Sequence, residues 1–137
     1  MGDPECQVLM MKLKTDLLTI VDAAIENDLA GLKIDWDDKK CITIVLCAKG
    51  YPGEYIKDKE IKNLSNIHLD KNNQIFHAGT YEDKDKIFSK GGRVLNITSS
   101  GNDLNEARDN SLINLAKINW DHGFFRKDIG WRAIKKK

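Results

Sequence analysis

The chain has little of what several protein classes require. Three cysteines, Cys6, Cys41 and Cys47, are an odd number and lack C-x-x-C spacing, which points away from a disulfide framework or a thiolate zinc site and toward a reducing compartment. Three histidines, His68, His77 and His122, stand too far apart in sequence for a local metal site. No apolar run approaches the ~20 residues that cross a bilayer, and no basic-then-apolar leader opens the chain. No membrane partner is expected, and the expected location is cytoplasmic. The triplets Asn63-Leu64-Ser65 and Asn96-Ile97-Thr98 are therefore not expected to meet the glycosylation machinery. Charge of one sign is also missing. Lys and Arg number 22 against 21 Asp and Glu, a balance that argues against a dedicated nucleic-acid binder.

What is present is the make-up of one packed domain, with 41% hydrophobic and 31% charged residues in 137. Asp3-Pro4-Glu5 reads as a helix start, with Asp3 as cap and Pro4 in the first turn. Leu9, Leu13, Leu17, Ile20, Val21, Ala24 and Ile25 continue at helical spacing and predict one long helix ending near Asn27. Cys41–Ala48 is a nearly continuous β-prone run, suited to the inside of a sheet. Gly50-Tyr51-Pro52-Gly53 breaks it with the pattern of a type II turn. Short strands are expected at 74–80 and 87–89, separated by a charged bend from Glu82 to Lys86. Arg93–Thr98 then alternates with period two. Asp103 and Glu106 form a capping-box pattern that opens a second helix with Leu104, Ala107, Ser111, Leu112 and Leu115 inward. The fold class is α+β, a mostly antiparallel sheet packed with a long N-terminal helix and a second helix.

No self-sufficient active site emerges from the residues themselves. Gly50-x-x-Gly53 and Gly91-Gly92 lack the lysine and hydroxyl of a phosphate-cradling loop and read as turns, and Cys6 reads as a packed thiol. Two places leave alternatives open. At the N-terminus, Asp3 and Glu5 either cap the helix or present carboxylates to a ligand. In 124–133, Arg126, Lys127 and Arg132 are set among Phe124, Phe125, Ile129 and Trp131; this is either ordinary surface charge or a phosphate site, since guanidinium forks match phosphate oxygens. The basic end also includes Lys135, Lys136 and Lys137, against Asp128 alone.

These stretches carry a family resemblance. Gly2-Asp3-Pro4-Glu5-Cys6-Gln7, Ala48-Lys49-Gly50-Tyr51-Pro52-Gly53-Glu54-Tyr55, Phe76-His77-Ala78-Gly79-Thr80, Gly91-Gly92-Arg93-Val94-Leu95 and Arg126-Lys127-Asp128-Ile129-Gly130-Trp131-Arg132-Ala133 stand in the order found in the phosphoribosylamine-glycine ligases of the ATP-grasp superfamily. Only the C-terminal part of those enzymes is matched. The resemblance implies an ATP-dependent joining of glycine to 5-phosphoribosylamine in purine synthesis, with ATP and Mg²⁺ (or Mn²⁺) as cofactors of the complete enzyme. The family's Mg²⁺-binding Glu and Asn lie upstream of the Gly-Asp-Pro-Glu stretch, so the chain alone is expected to be inactive and to hold neither cofactor.

By superfamily analogy, Asp3 and Glu5 are candidates to meet the glycine ammonium. Arg126 and Lys127 are candidates for the ribose phosphate, and Arg93 is a further one that a surface carboxylate could equally occupy. The expected partner is the upstream ATP-grasp part, with residues 1–30 leading out of it and 31–137 forming the C-terminal domain. Part of the first helix's apolar stripe is then expected to be exposed in the chain alone. The alternative is a stand-alone anion-binding or interaction module. Met1 as a natural start favours the module, and Met1 inside a longer reading frame favours the ligase.

Overall fold

A computed structural model describes residues 2–135; Met1 and the terminal Lys136 and Lys137 lie outside the described residues. The apolar run becomes β1, Lys40–Ala48. Because β-strand side chains alternate, Ile42, Ile44, Leu46 and Ala48 enter the core while Cys41, Thr43, Val45 and Cys47 are half-buried on the other face. β1 is flanked by β6, Arg93–Gly101, and by the two-residue β7, Gly123–Phe124; β3, Asn73–His77, pairs with the far side of β6. All these pairings are antiparallel.

The second helix forms as its pattern indicates and is here α3, Leu104–Ala116. The Asp103 side chain accepts from the Glu106 N–H at 2.9 Å, and the Glu106 carboxylate reaches back to the Asn102 N–H at 2.7 Å, one residue before the cap. Ala107, Ser111 and Leu115 are buried against the sheet. The approach is close: a side chain on Gly101 would begin 2.7 Å from the Ala107 nitrogen.

The expected long N-terminal helix is two helices. α1 spans Glu5–Lys12 and α2 spans Leu17–Ile25. Leu13 is extended and bridges Trp36, Asp37 N–H donates to the Lys12 carbonyl at 2.7 Å, and Lys14 N–H donates to the Asp35 carbonyl at 3.0 Å. Backbone pairing with the 35–37 segment thus replaces the helical bonds, and Asp16 caps the restart by accepting from Leu18 N–H at 2.7 Å. Asp3 is no cap: the cap position falls on Pro4, without a side-chain hydrogen bond. α1 packs on β1 and β6, on the face opposite α3.

Three smaller elements also differ from expectation. The expected 74–80 strand divides at Ala78-Gly79, where the chain passes from the four-stranded sheet into a three-stranded one ordered β2 (Glu60–Ile61), β5 (Lys86–Ser89), β4 (Thr80–Asp83). The charged bend is a two-residue hairpin joining β4 to β5, with Lys84 and Asp85 both at positive φ. The type II turn expected with Pro52 second and Gly53 third does not form, since positive φ falls on Gly50 and not on Gly53.

Candidate functional site

Strict alternation along 93–98 would send Arg93 to the same face as Leu95 and Ile97, into the core. The register slips instead. Leu46 pairs with Leu95, but Cys47 pairs with Arg93, leaving Val94 as an extra residue. Such a bulge re-aims one side chain at the end of a strand. Arg93 therefore shares the Cys47 face, opposite α3.

On that face lies a cleft of about 500 Å³. Its floor is Thr43, Val45 and Cys47 of β1; one side is Tyr51 and Pro52, another is Phe124, Phe125 and Ile129, and Pro4 closes the N-terminal edge. Arg93 and Arg126 both line it. Burial pushes the Cys47 thiol above its ordinary pKa, with Arg93 opposing in part.

Each guanidinium is held by a carboxylate. Arg93 Nη2 is 3.1 Å from Asp3 Oδ2, and Nη1 donates to the Asp3 carbonyl at 2.9 Å. The N-terminal segment is thereby tied to β6. Arg126 grips Asp128 with both arms of its fork, Nε to Oδ1 at 3.0 Å and Nη2 to Oδ2 at 2.7 Å. This pairing raises the Arg126 pKa and holds the Asp128 carboxyl below the usual range, so both stay ionised. The groups are largely solvent-exposed, so the pairs orient the forks more than they stabilise the fold.

The loop carrying Arg126 is fixed from two sides. Arg108 of α3 donates to the Lys127 carbonyl. Beyond it, Gly130 adopts φ +82°, and a side chain there would start 2.7 Å from Ile42 Cδ1 in the core. Left-handed backbone and lack of space both favour glycine.

Of the candidates named from sequence, Arg93 and Arg126 line this cleft, and Asp3 reaches it only through its pair with Arg93. Lys127 is exposed beside Arg126 but is not among the cleft-lining residues, and Glu5 is exposed at the start of α1, next to the lining Pro4. Sequence reasoning missed the aromatic wall of Tyr51 and the two carboxylate partners. The spacing Arg126-x-Asp128 was the available signal for one of these; nothing local signals the Asp3–Arg93 pair, 90 residues apart. Among the described residues, no three or more His, Cys, Asp or Glu side chains converge to hold a metal ion.

An apolar cleft with two oriented guanidinium forks suits an organic anion, and comparison with known proteins agrees with the resemblance seen in the sequence. Residues 41–132 match the family model described as phosphoribosylglycinamide synthetase, C domain. The chain belongs to this family. It is 45% identical over 138 aligned residues to the chloroplastic phosphoribosylamine–glycine ligase of Arabidopsis thaliana, an alignment covering 99% of this chain and 26% of that protein. To the phosphoribosylamine–glycine ligase of Rhizobium meliloti it is 44% identical, covering 97% of this chain and 31% of that protein. A solved phosphoribosylamine–glycine ligase from Thermotoga maritima superposes with a TM-score of 0.69 at 30% identity, over 93% of this chain and 31% of that one.

The chain thus spans between a quarter and a third of the length of these phosphoribosylglycinamide synthetase relatives. The mixed α and antiparallel β architecture is the one shared with the Thermotoga maritima structure. No described helix is long and apolar enough to cross a membrane.

Proposed function

We propose that this chain is the C-terminal part of a phosphoribosylamine–glycine ligase and forms the wall of its cleft that anchors 5-phosphoribosylamine. The observation that carries this reading is the convergence of Arg93 and Arg126 on one apolar cleft, with Pro4 at its edge. A dianionic phosphate accepts charge-assisted hydrogen bonds from the guanidinium N–H groups that Asp3 and Asp128 leave free on Arg93 and Arg126, and Lys127 adds a cation next in sequence to Arg126. Asp3 and Asp128 set the forks before the anion arrives, which lowers the entropy lost on binding. Glu5, exposed in the first turn of α1, is assigned to the glycine ammonium together with Asp3 Oδ1, the Asp3 oxygen that Arg93 does not engage.

ATP and its divalent metal are cofactors of the complete reaction. The described residues do not fit either group, having no convergent metal ligands and no lysine-bearing glycine loop, so no step of theirs is assigned here. Residues 1–30 are assigned to the preceding part of the enzyme and 31–137 to the C domain. Two findings support this partition. The family's C-domain model begins at residue 41, and six of the exposed large apolar residues lie in 1–30: Leu9, Leu17, Leu18, Val21, Ile25 and Leu29. Large apolar side chains left exposed along one segment fit a surface that a partner covers.

The test is reconstitution. Supplying the separately produced ATP-grasp portion of such a ligase together with this chain, glycine, 5-phosphoribosylamine and ATP should yield glycinamide ribonucleotide, while either piece alone should not. Two folded pieces that neither associate nor turn over would leave a stand-alone anion-binding module as the better account.

A further inference from the structure

Gly92 is not a glycine for conformational reasons, because its φ lies outside the positive region. It is a glycine for space. A Cβ placed on it would lie 2.1 Å from Tyr51 Cδ2 and 2.6 Å from Cε2, so the tyrosine ring occupies the volume of the missing side chain. That ring is fixed from other directions too. Tyr55 meets it edge-on, with centroids 6.1 Å apart and planes at 65°, and Tyr51 N–H donates to the Ala48 carbonyl at 3.1 Å. The Gly92 carbonyl in turn accepts from Ala48 N–H at 2.8 Å, tying both ends of the contact to β1. Tyr51 and Arg93 both line the same cleft.

We propose that Tyr51 determines specificity by packing its ring on the carbon face of a pentose phosphate whose phosphate is taken by Arg93 and Arg126, and that Gly92 is the positioning residue that seats the ring. This rests on the ligase reading and deepens it. Inorganic phosphate needs only the cations. A sugar phosphate presents, in addition, a ring with an apolar C–H face, and the wall beside Arg93 is aromatic.

The test titrates the 137-residue chain with ribose 5-phosphate and with inorganic phosphate, followed by amide NMR shifts. The unaltered chain is expected to bind ribose 5-phosphate more tightly than phosphate. Tyr51→Ala should weaken ribose 5-phosphate about five- to tenfold, the worth of one aromatic contact, and leave phosphate unchanged. Tyr51→Phe should alter neither. Gly92→Ala should reproduce the Tyr51→Ala loss, and the double variant should be no weaker than Tyr51→Ala, because the added methyl acts only through the ring. Equal affinity for the two probes, or a Gly92→Ala loss that falls on both alike, overturns the inference alone. Failure of the unaltered chain to bind phosphate overturns the ligase reading of the cleft and this inference with it.

Discussion

Replacing Leu18 and Ile25 of α2 by glutamine separates a surface that waits for a partner from one that already holds the fold together. Leu18 is 70% exposed and Ile25 is 72% exposed, and α1 and α2 contain no fully buried residue. In the chain alone, such substitutions should change unfolding free energy by no more than about 0.5 kcal/mol, the usual range for exposed positions. Docking against the ATP-grasp portion proposed to precede it should be affected far more. Full burial of a leucine or isoleucine side chain is worth about 1.5–3 kcal/mol. Roughly two-thirds of that is still unspent here, which gives about 1–2 kcal/mol per residue and about 2–4 kcal/mol for the pair. The double variant should therefore bind the ATP-grasp portion about 30- to 1000-fold more weakly. Urea unfolding of the chain and calorimetric titration with the separate portion measure the two quantities. A large drop in urea midpoint for the chain alone, or an undiminished affinity, would refute the reasoning.

Three further outcomes are expected. Gly130→Ala should cost about 1–3 kcal/mol in urea unfolding, from left-handed strain and contact with Ile42; a neutral result would mean the 128–131 turn relaxes freely. Cys47, its pKa raised by burial, should react slowly with iodoacetamide at neutral pH and faster as pH rises through the thiol range, with ribose 5-phosphate slowing the reaction by filling the cleft; modification at the rate of a free cysteine would contradict the placement. Asp128 titrates below its ordinary value because Arg126 pairs with it, so the pair's contribution is present above the usual aspartate range and lost as pH falls through the lower folded value. The Arg126 Nε resonance should then stay constant from pH 8 to about 5 and move only as Asp128 protonates below the ordinary aspartate value of about 3.9, whereas a resonance that does not respond to that protonation, or an Asp128 midpoint at the ordinary value, would show that the pair does not form.

The elements whose signals are local were legible in the sequence. β1 follows from its apolar run, and α3 from Asp103, Glu106 and the spacing of Ala107, Ser111 and Leu115. The break between α1 and α2 was not legible from periodicity, because Leu13 keeps the helical spacing. What stops the helix is backbone pairing with Asp35–Asp37, and the only local trace is Asp16 ahead of Leu17 as a possible cap. Arg93 shows the same limit more sharply. Its alternation pattern points to the core face, and only the bulge at Val94 turns it to the cleft. Asp3 satisfied every local rule for a cap, yet its carboxylate goes to Arg93, because the N-terminal segment crosses the end of β6. Residue types thus announced the chemistry, and tertiary pairing decided which of them meet.

The central claim is that the cleft between Tyr51, Phe124 and Phe125 receives the phosphate of 5-phosphoribosylamine on Arg93 and Arg126. Its most direct test is the steady-state KM for each substrate in the complete ligase carrying Arg126→Ala. Loss of a charge-assisted hydrogen bond worth about 1.5–3 kcal/mol should raise the KM for 5-phosphoribosylamine about ten- to a hundredfold, with the constants for ATP and glycine and the urea midpoint unchanged. An unaltered 5-phosphoribosylamine KM would contradict the account and return Arg126 to ordinary surface charge.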